Sequence, residues 1–227
     1  MVSADEDPGA SDEHSGSIQV QESPLSGFCE YDGIMAMQNA AVFSVFREFL
    51  RLTRPARILE IGTAHGGLTL FLRHTLDELG LSASTIRTCD LVSIASHSRL
   101  RATAGIEVLT QNLFTHSYKG IRQPQLVFPF LRLPGRVVVL CDGGSKPDEF
   151  RLLAPHLKPG DVIMAHDYAP DRRYFEEHIL NRHWNWLEIQ DDDVAEVCLA
   201  SNLEPFMQEA FLPVVWLCRQ RGEPRNR

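Results

Sequence analysis

Two rhythms of apolar and polar residues divide the chain, and one stretch shows neither. Residues 1–26 are rich in Ser, Asp, Glu and Gly and carry almost no apolar periodicity. Such a composition predicts a disordered acidic tail, because it cannot bury enough apolar surface to offset ordering. From Tyr31 to Leu52 the apolar positions fall at Ile34, Met37, Ala41, Phe43, Val45, Phe46 and Leu50. That is a helical period with one broad face, and Pro55 ends it. The segment 27–55 is therefore expected to be a helical lid, with Met35, Met37 and Phe43 over a pocket, or else a helix packed on the sheet.

From Ala56 the rhythm changes. "ARILEIG", "STIRTCDL", "IEVLTQNLF", "RVVVLCDGG" and "DVIMAHDY" are short apolar runs. "GGLTLFLRHTLDELG", closed by Gly80, and "KPDEFRLLAPHLKPG", with Pro147 near its start and Gly160 at its close, are amphipathic. Apolar strands alternating with helices predict a parallel sheet covered on both faces. Near the C-terminus "WNWLEI" and "PVVWLCRQ" read as strands flanking the acidic-started helix "DDDVAEVCLASN". Little helix separates them, which predicts an antiparallel edge pair. The expected domain, 56–222, is a doubly wound α/β fold with a mostly parallel seven-stranded sheet.

Composition narrows the partners. The 227 residues carry a formal net charge of −8, which argues against a nucleic-acid backbone as ligand. No apolar run approaches the ~18–20 residues of a membrane span. Five cysteines, an odd number without regular spacing, suit reduced thiols in a cytoplasmic protein. Cys89, Cys141 and Cys218 fall in strand-like runs and read as core residues. A small molecule is left as the expected partner, with a homo-oligomer left open.

In a doubly wound sheet ligands bind beyond the carboxyl ends of the strands, so the chemistry is sought there. The first strand ends in "LEIGTAHGGL", where Gly62 permits a tight turn and Gly66 and Gly67 allow close approach to the backbone. Ala64 stands where a dinucleotide fingerprint has its middle glycine, which counts against an NAD-linked oxidoreductase. Glu60 adds a carboxylate suited to a cationic amino-acid group. The second strand ends on Asp90, placed to accept from both hydroxyls of a ribose or, alternatively, to cap a helix. Gln111 and Asn112 follow the third strand and could read an adenine edge. The fourth and fifth strands end in "LCDGGSK" and "MAHDYAPD". Neighbouring tips would bring Asp142 together with His166 and Asp167, a cluster that a divalent cation would reconcile. The alternative makes Asp142 a helix cap and Asp167 a loop anchor.

These same stretches, "ILEIGTAHGG", "TCDL", "LCDGG" and "PGDVIMAHDY", resemble the successive motifs of S-adenosylmethionine-dependent methyltransferases with a Rossmann-like fold. Within that group the chain is similar to metal-dependent small-molecule O-methyltransferases of the catechol and macrocin types, and to the cephalosporin hydroxylase-like family. The resemblance covers roughly Ala56 to Gln220. It implies that Glu60, Gly62, Thr63 and Gly66 line the methionine part of the cofactor and that Asp90 holds the ribose. Ala64, His65, Leu91, Asn112 and Asp142 would be further cofactor contacts. Asp142, His166 and Asp167 would be metal ligands, for magnesium or, given the imidazole, manganese or another divalent ion. His166 stands where relatives carry a carboxylate, and it or Lys146 would be the catalytic base. The implied reaction is O-methylation of a small molecule with adjacent oxygens, such as a natural product, sugar or catechol. A repurposed, non-catalytic methyltransferase fold is the remaining alternative.

Overall fold

The computed structural model describes residues 18–20 and 28–223. A small antiparallel sheet comes first, made of β1 (Ile18–Val20), β2 (Cys29–Tyr31) and β3 (Ile34–Met35). Two expectations change here. Ile18–Val20, inside the supposed tail, pair with Val20 opposite Cys29, where the backbone of β2 supplies the partners the composition could not; the other residues of 1–26 lie outside the described residues. The helix expected from Tyr31 begins only at Val42, because Asp32 and Gly33, both at positive φ, make a tight hairpin between β2 and β3.

Helix α1 (Val42–Thr53) buries Val42, Phe43, Phe46, Phe49 and Leu50. With Phe43 in the core, α1 itself packs on the sheet, while Met37, ahead of it in the same segment, lines a cavity. There follow β4 (Arg57–Ile61), α2 (Gly67–Glu78), β5 (Thr85–Asp90), α3 (His97–Ala102), β6 (Ile106–Thr110) and α4 (Pro124–Arg132). Next come β7 (Val137–Cys141), α5 (Lys146–Leu153), β8 (Val162–Ala165) and the single turn α6 (Arg172–Tyr174), which runs into a π-helical turn at Phe175–Ile179. The chain closes with α7 (Asp191–Ala200), β9 (Leu203–Pro205), α8 (Gln208–Phe211) and β10 (Leu217–Arg221).

The main sheet has seven strands in the order β6-β5-β4-β7-β8-β10-β9. The first five are mutually parallel, and β10 runs antiparallel to both β8 and β9. This is the expected architecture with one substitution. The edge strand is Leu203–Pro205, whereas "WNWLEI" contributes only isolated bridges, from Ile189 to Tyr168 and from Trp184 to Leu180. β4, β7 and β8 are buried at every position, as continuous apolar strands between two helical layers must be. Ile58, Val138 and Met164 face α1, α2 and α8, while Leu59, Val139 and Ile163 face α4, α5 and α7. Strand order reverses between β4 and β7, so a crevice opens beyond their carboxyl ends.

Candidate functional site

At that reversal the two strand tips are in backbone contact. Gly62, at φ 90°, turns immediately after β4, and any Cβ there would collide with the carbonyl oxygen of Asp142 after β7. Only glycine fits both the conformation and the approach. On either side of this contact lies a cavity. The first, about 220 Å³, is lined by Ile61, Gly62, Asp90, Asn112, Tyr118 and Glu149, among others. The second, about 310 Å³, is walled by Phe28, Met37, Trp184 and Trp186 and floored by Asp142, Lys146, His166 and Asp167. Ala64 and Asp142 line both.

In the first cavity Asp90 Oδ2 accepts from the Ala64 N–H at 2.8 Å and Oδ1 from the Val92 N–H at 3.2 Å. A carboxylate has about four acceptor positions, so two remain for a ligand's hydroxyls. Leu91, Gln111 and Asn112 also line the cavity, and Asn112 Oδ1 accepts from Phe114 N–H at 2.9 Å. Glu149, which the sequence reading passed over, accepts from the N–H groups of Gly143 and Ser145 at 3.1 and 3.3 Å. Burial pushes its carboxyl up to about 7.

Four of the residues expected to contact the cofactor, Glu60, Thr63, His65 and Gly66, are not in the lining of either cavity. Glu60 alternates onto the opposite face of β4 from Ile61 and is buried beneath α2, where Oε2 accepts from Thr69 Oγ1 at 2.6 Å. Burial, the largest effect, pushes it up to about 7 against the hydrogen bonds from Thr69 and Thr88. Thr63 is buried with its hydroxyl 2.6 Å from that of Thr88. His65 is exposed and meets α3 through its carbonyl, which accepts from Ser96 Oγ at 2.8 Å. Gly66 caps α2 in the left-handed region.

The second cavity brings together the acidic and imidazole groups expected to meet. One ligand atom from each of Asp142, His166 and Asp167 lies within 4.8 Å of the others. His166 Nδ1 is 3.2 Å from Asp142 Oδ1 and 3.4 Å from Asp167 Oδ1. The ring is buried between Trp184 and Trp216, each 4.9 Å away. Burial favours neutral imidazole, but the two carboxylates outweigh it and hold the pKa above that of an ordinary histidine. Asp167, at φ 58°, sits in a region costly for a non-glycine residue. It is held there by Trp184 Nε1, donating at 2.5 Å, and Lys146 Nζ at 2.9 Å.

Gln38, also unread in the sequence, organises this floor. Its Oε1 accepts from Trp216 Nε1 at 3.0 Å, while Nε2 donates to Asp142 Oδ2 at 3.0 Å and lies 3.4 Å from His166 Nδ1. An indole can only donate, so the amide's orientation is set. Lys146 Nζ stands 2.9 Å from Asp167 and Glu188 and 3.7 Å from Asp142. Burial lowers the lysine's pKa, but those carboxylates override it and hold the value above the ordinary one. With its carboxylate neighbours as they stand, the ammonium balances their charge.

The donor set fits a divalent cation. Two carboxylates and an imidazole converge, and the carboxylates are themselves oriented by Gln38 and Trp184, as metal ligands commonly are. The nitrogen donor suits manganese, iron or zinc better than magnesium.

No protein-family model and no curated protein matches the chain. Among solved structures it has the Rossmann-like α/β fold of S-adenosylmethionine-dependent methyltransferases. It is similar to the CmcI-N160 apo-structure, with a TM-score of 0.60 at 16% sequence identity over 97% of this chain and 82% of that one. It is also similar to CmcI-D160 with Mg and S-adenosylmethionine, with a TM-score of 0.54 at 18% identity over 95% of this chain and 81% of that one. An O-methyltransferase family protein from Burkholderia thailandensis gives a TM-score of 0.50 at 14% identity, over 81% of this chain and 56% of that one. At these identities the likeness is one of fold. Among the described residues no helix is long and apolar enough to cross a membrane.

Proposed function

We propose that the protein is an S-adenosylmethionine-dependent O-methyltransferase acting on a small molecule that presents adjacent oxygens. The observation that carries this reading is the junction of the two cavities at Ala64 and Asp142. A methyl donor in one and an acceptor in the other would face each other there, and alignment supplies much of the rate in such transfers. The donor contributes a methyl group on a cationic sulfonium. Asp90 would accept from the ribose hydroxyls, Asn112 and Gln111 would face the adenine, and Glu149 and Asp142 would set a negative field along the cavity. In the other cavity the rings of Phe28, Trp184 and Trp186 would cover the apolar body of the acceptor.

Asp142, His166 and Asp167 would hold a divalent cation, which lowers the pKa of a bound hydroxyl. Lys146 neutralises the carboxylates that such a site leaves in excess, and Gln38 fixes the Asp142 carboxylate towards both cavities. A second reading is favoured by the Lys146 ammonium itself, already bonded to Asp167 and Glu188. In that reading the lysine supplies the electrostatics and His166 takes the acceptor's proton without a metal.

The test is methyl transfer from labelled S-adenosylmethionine to a panel of catechols, sugars and hydroxylated natural products, with and without chelator. The metal reading expects turnover that chelator abolishes and added manganese or magnesium restores. Full turnover in excess chelator would favour the Lys146–His166 reading, and no transfer to any acceptor would count against both.

A further inference from the structure

The residue at the meeting point of the cavities is in an unfavourable conformation. Ala64 has φ 47°, a left-handed geometry that an alanine rarely adopts because its Cβ crowds the following carbonyl oxygen. Something must hold it. Its N–H is bonded to Asp90, but its carbonyl oxygen lies 2.7 Å from Nε2 of His97. His97 opens α3 and is fully buried. Because a carbonyl only accepts, Nε2 must carry a proton, while Nδ1 is buried and without a hydrogen-bond partner. A buried imidazole with one nitrogen unsatisfied makes its one good bond to the glycine loop.

Two neighbours on the same element make further ties. Ser96 Oγ donates to the carbonyl of His65 at 2.8 Å. Leu100, one turn on, occupies the space that a Cβ at Gly66 would need. Three consecutive residues of the turn, Ala64, His65 and Gly66, are thus each met by α3. Both ties fall on carbonyl oxygens, and the one from His97 fixes the direction of the peptide unit that follows Ala64, a residue that lines both cavities.

We propose that His97 is a positioning residue: its Nε2–H holds the Ala64 peptide in the conformation that shapes the boundary between the two cavities, with Ser96 as an auxiliary tie. The role rests on the proposed function only where it concerns cofactor affinity. The strap itself is a statement about the loop.

The experiment separates the two. Hydrogen–deuterium exchange over Gly62–Gly67 reads the loop without any ligand, and calorimetric titration with S-adenosylhomocysteine reads the cavity. His97→Phe keeps a ring but removes the donor, whereas the amide of Gln in His97→Gln places an N–H where Nε2 stood. Exchange over the loop is expected to rise in His97→Phe and stay near wild type in His97→Gln. Affinity for S-adenosylhomocysteine should fall about tenfold in the first, the loss of one hydrogen bond, and no more than about threefold in the second. Ser96→Ala, at a partly exposed site, removes a single tie without entering the core and should raise exchange at His65–Gly67 in a folded protein. Wild-type exchange in Ser96→Ala and His97→Phe would overturn the strap, as would equal impairment of the Phe and Gln variants. If the wild type bound no S-adenosylhomocysteine, the cofactor reading would fail, and the exchange data would still decide the strap.

Discussion

Glu60→Gln should make the protein's stability less dependent on pH. Glu60 is only 2% exposed, and burial holds its carboxyl near 7 against 4.5 for an ordinary glutamate. At about 1.4 kcal/mol for each tenfold in proton affinity, the ionised form costs about 3 kcal/mol more in the fold than in the unfolded chain. The sign follows from proton binding. Between those two pKa values the folded state holds a proton that the unfolded state releases, so stability is fully present below 4.5 and is lost as pH rises through about 7. Most of that loss, about 2 kcal/mol, falls between about pH 5 and about pH 8. Glutamine preserves the contacts, since its carbonyl can accept from Thr69 and its amide can donate to Thr88, and it cannot ionise. Urea unfolding of both proteins at the two pH values gives the comparison. Glu149, also held near 7, contributes equally to both and cancels in the difference. The variant's curve should be flatter by about 2 kcal/mol, and parallel curves would show that Glu60 is not a buried, protonated group.

Asp90→Ala should weaken S-adenosylhomocysteine binding by about 1–3 kcal/mol, measured by calorimetry, because it removes both the ligand's acceptor and the tie to the Ala64 N–H. Asp167→Asn should imitate chelator in the methyl-transfer assay while leaving cofactor affinity within a few-fold, a separation that equilibrium dialysis with manganese would corroborate, whereas Asp142→Asn, at a residue that lines both cavities, should lose turnover and weaken the cofactor as well. Trp216→Phe leaves the buried Gln38 amide oxygen without its donor, so it should cost about 1–3 kcal/mol in urea unfolding despite the retained ring.

What the sequence disclosed depended on how local each signal was. The runs around Val137–Cys141 and Val162–Ala165 announce strands because both faces of the sheet are buried. Their polar terminators then had to lie side by side once the strands paired. The hairpin at Asp32–Gly33 had its own turn signal, overridden by a helical period that runs on into α1. Trp184 and Trp186 sit in an alternating aromatic run that reads as a strand. Their rings instead pack on Phe28, with centroids 5.6 Å from each, and wall the second cavity. Glu60 stands near the glycine turn in sequence, but alternation along β4 turns it to the opposite face from Ile61, where it bonds Thr69. Gln38 gave no local signal. Its partners Asp142 and Trp216 lie 104 and 178 residues away, so only the fold brings them together. His97 was hidden for the same reason, in a short helix that carries no motif.

The central claim is that the cavity bounded by Gly62, Asp90 and Glu149 takes S-adenosylmethionine. Calorimetric titration of the full chain with S-adenosylhomocysteine, in excess chelator and with NAD as a parallel titrant, tests it most directly. The account predicts saturable one-to-one binding of S-adenosylhomocysteine that chelator does not diminish, and no binding of NAD. Absence of S-adenosylhomocysteine binding by the folded protein, or a preference for NAD, would contradict it.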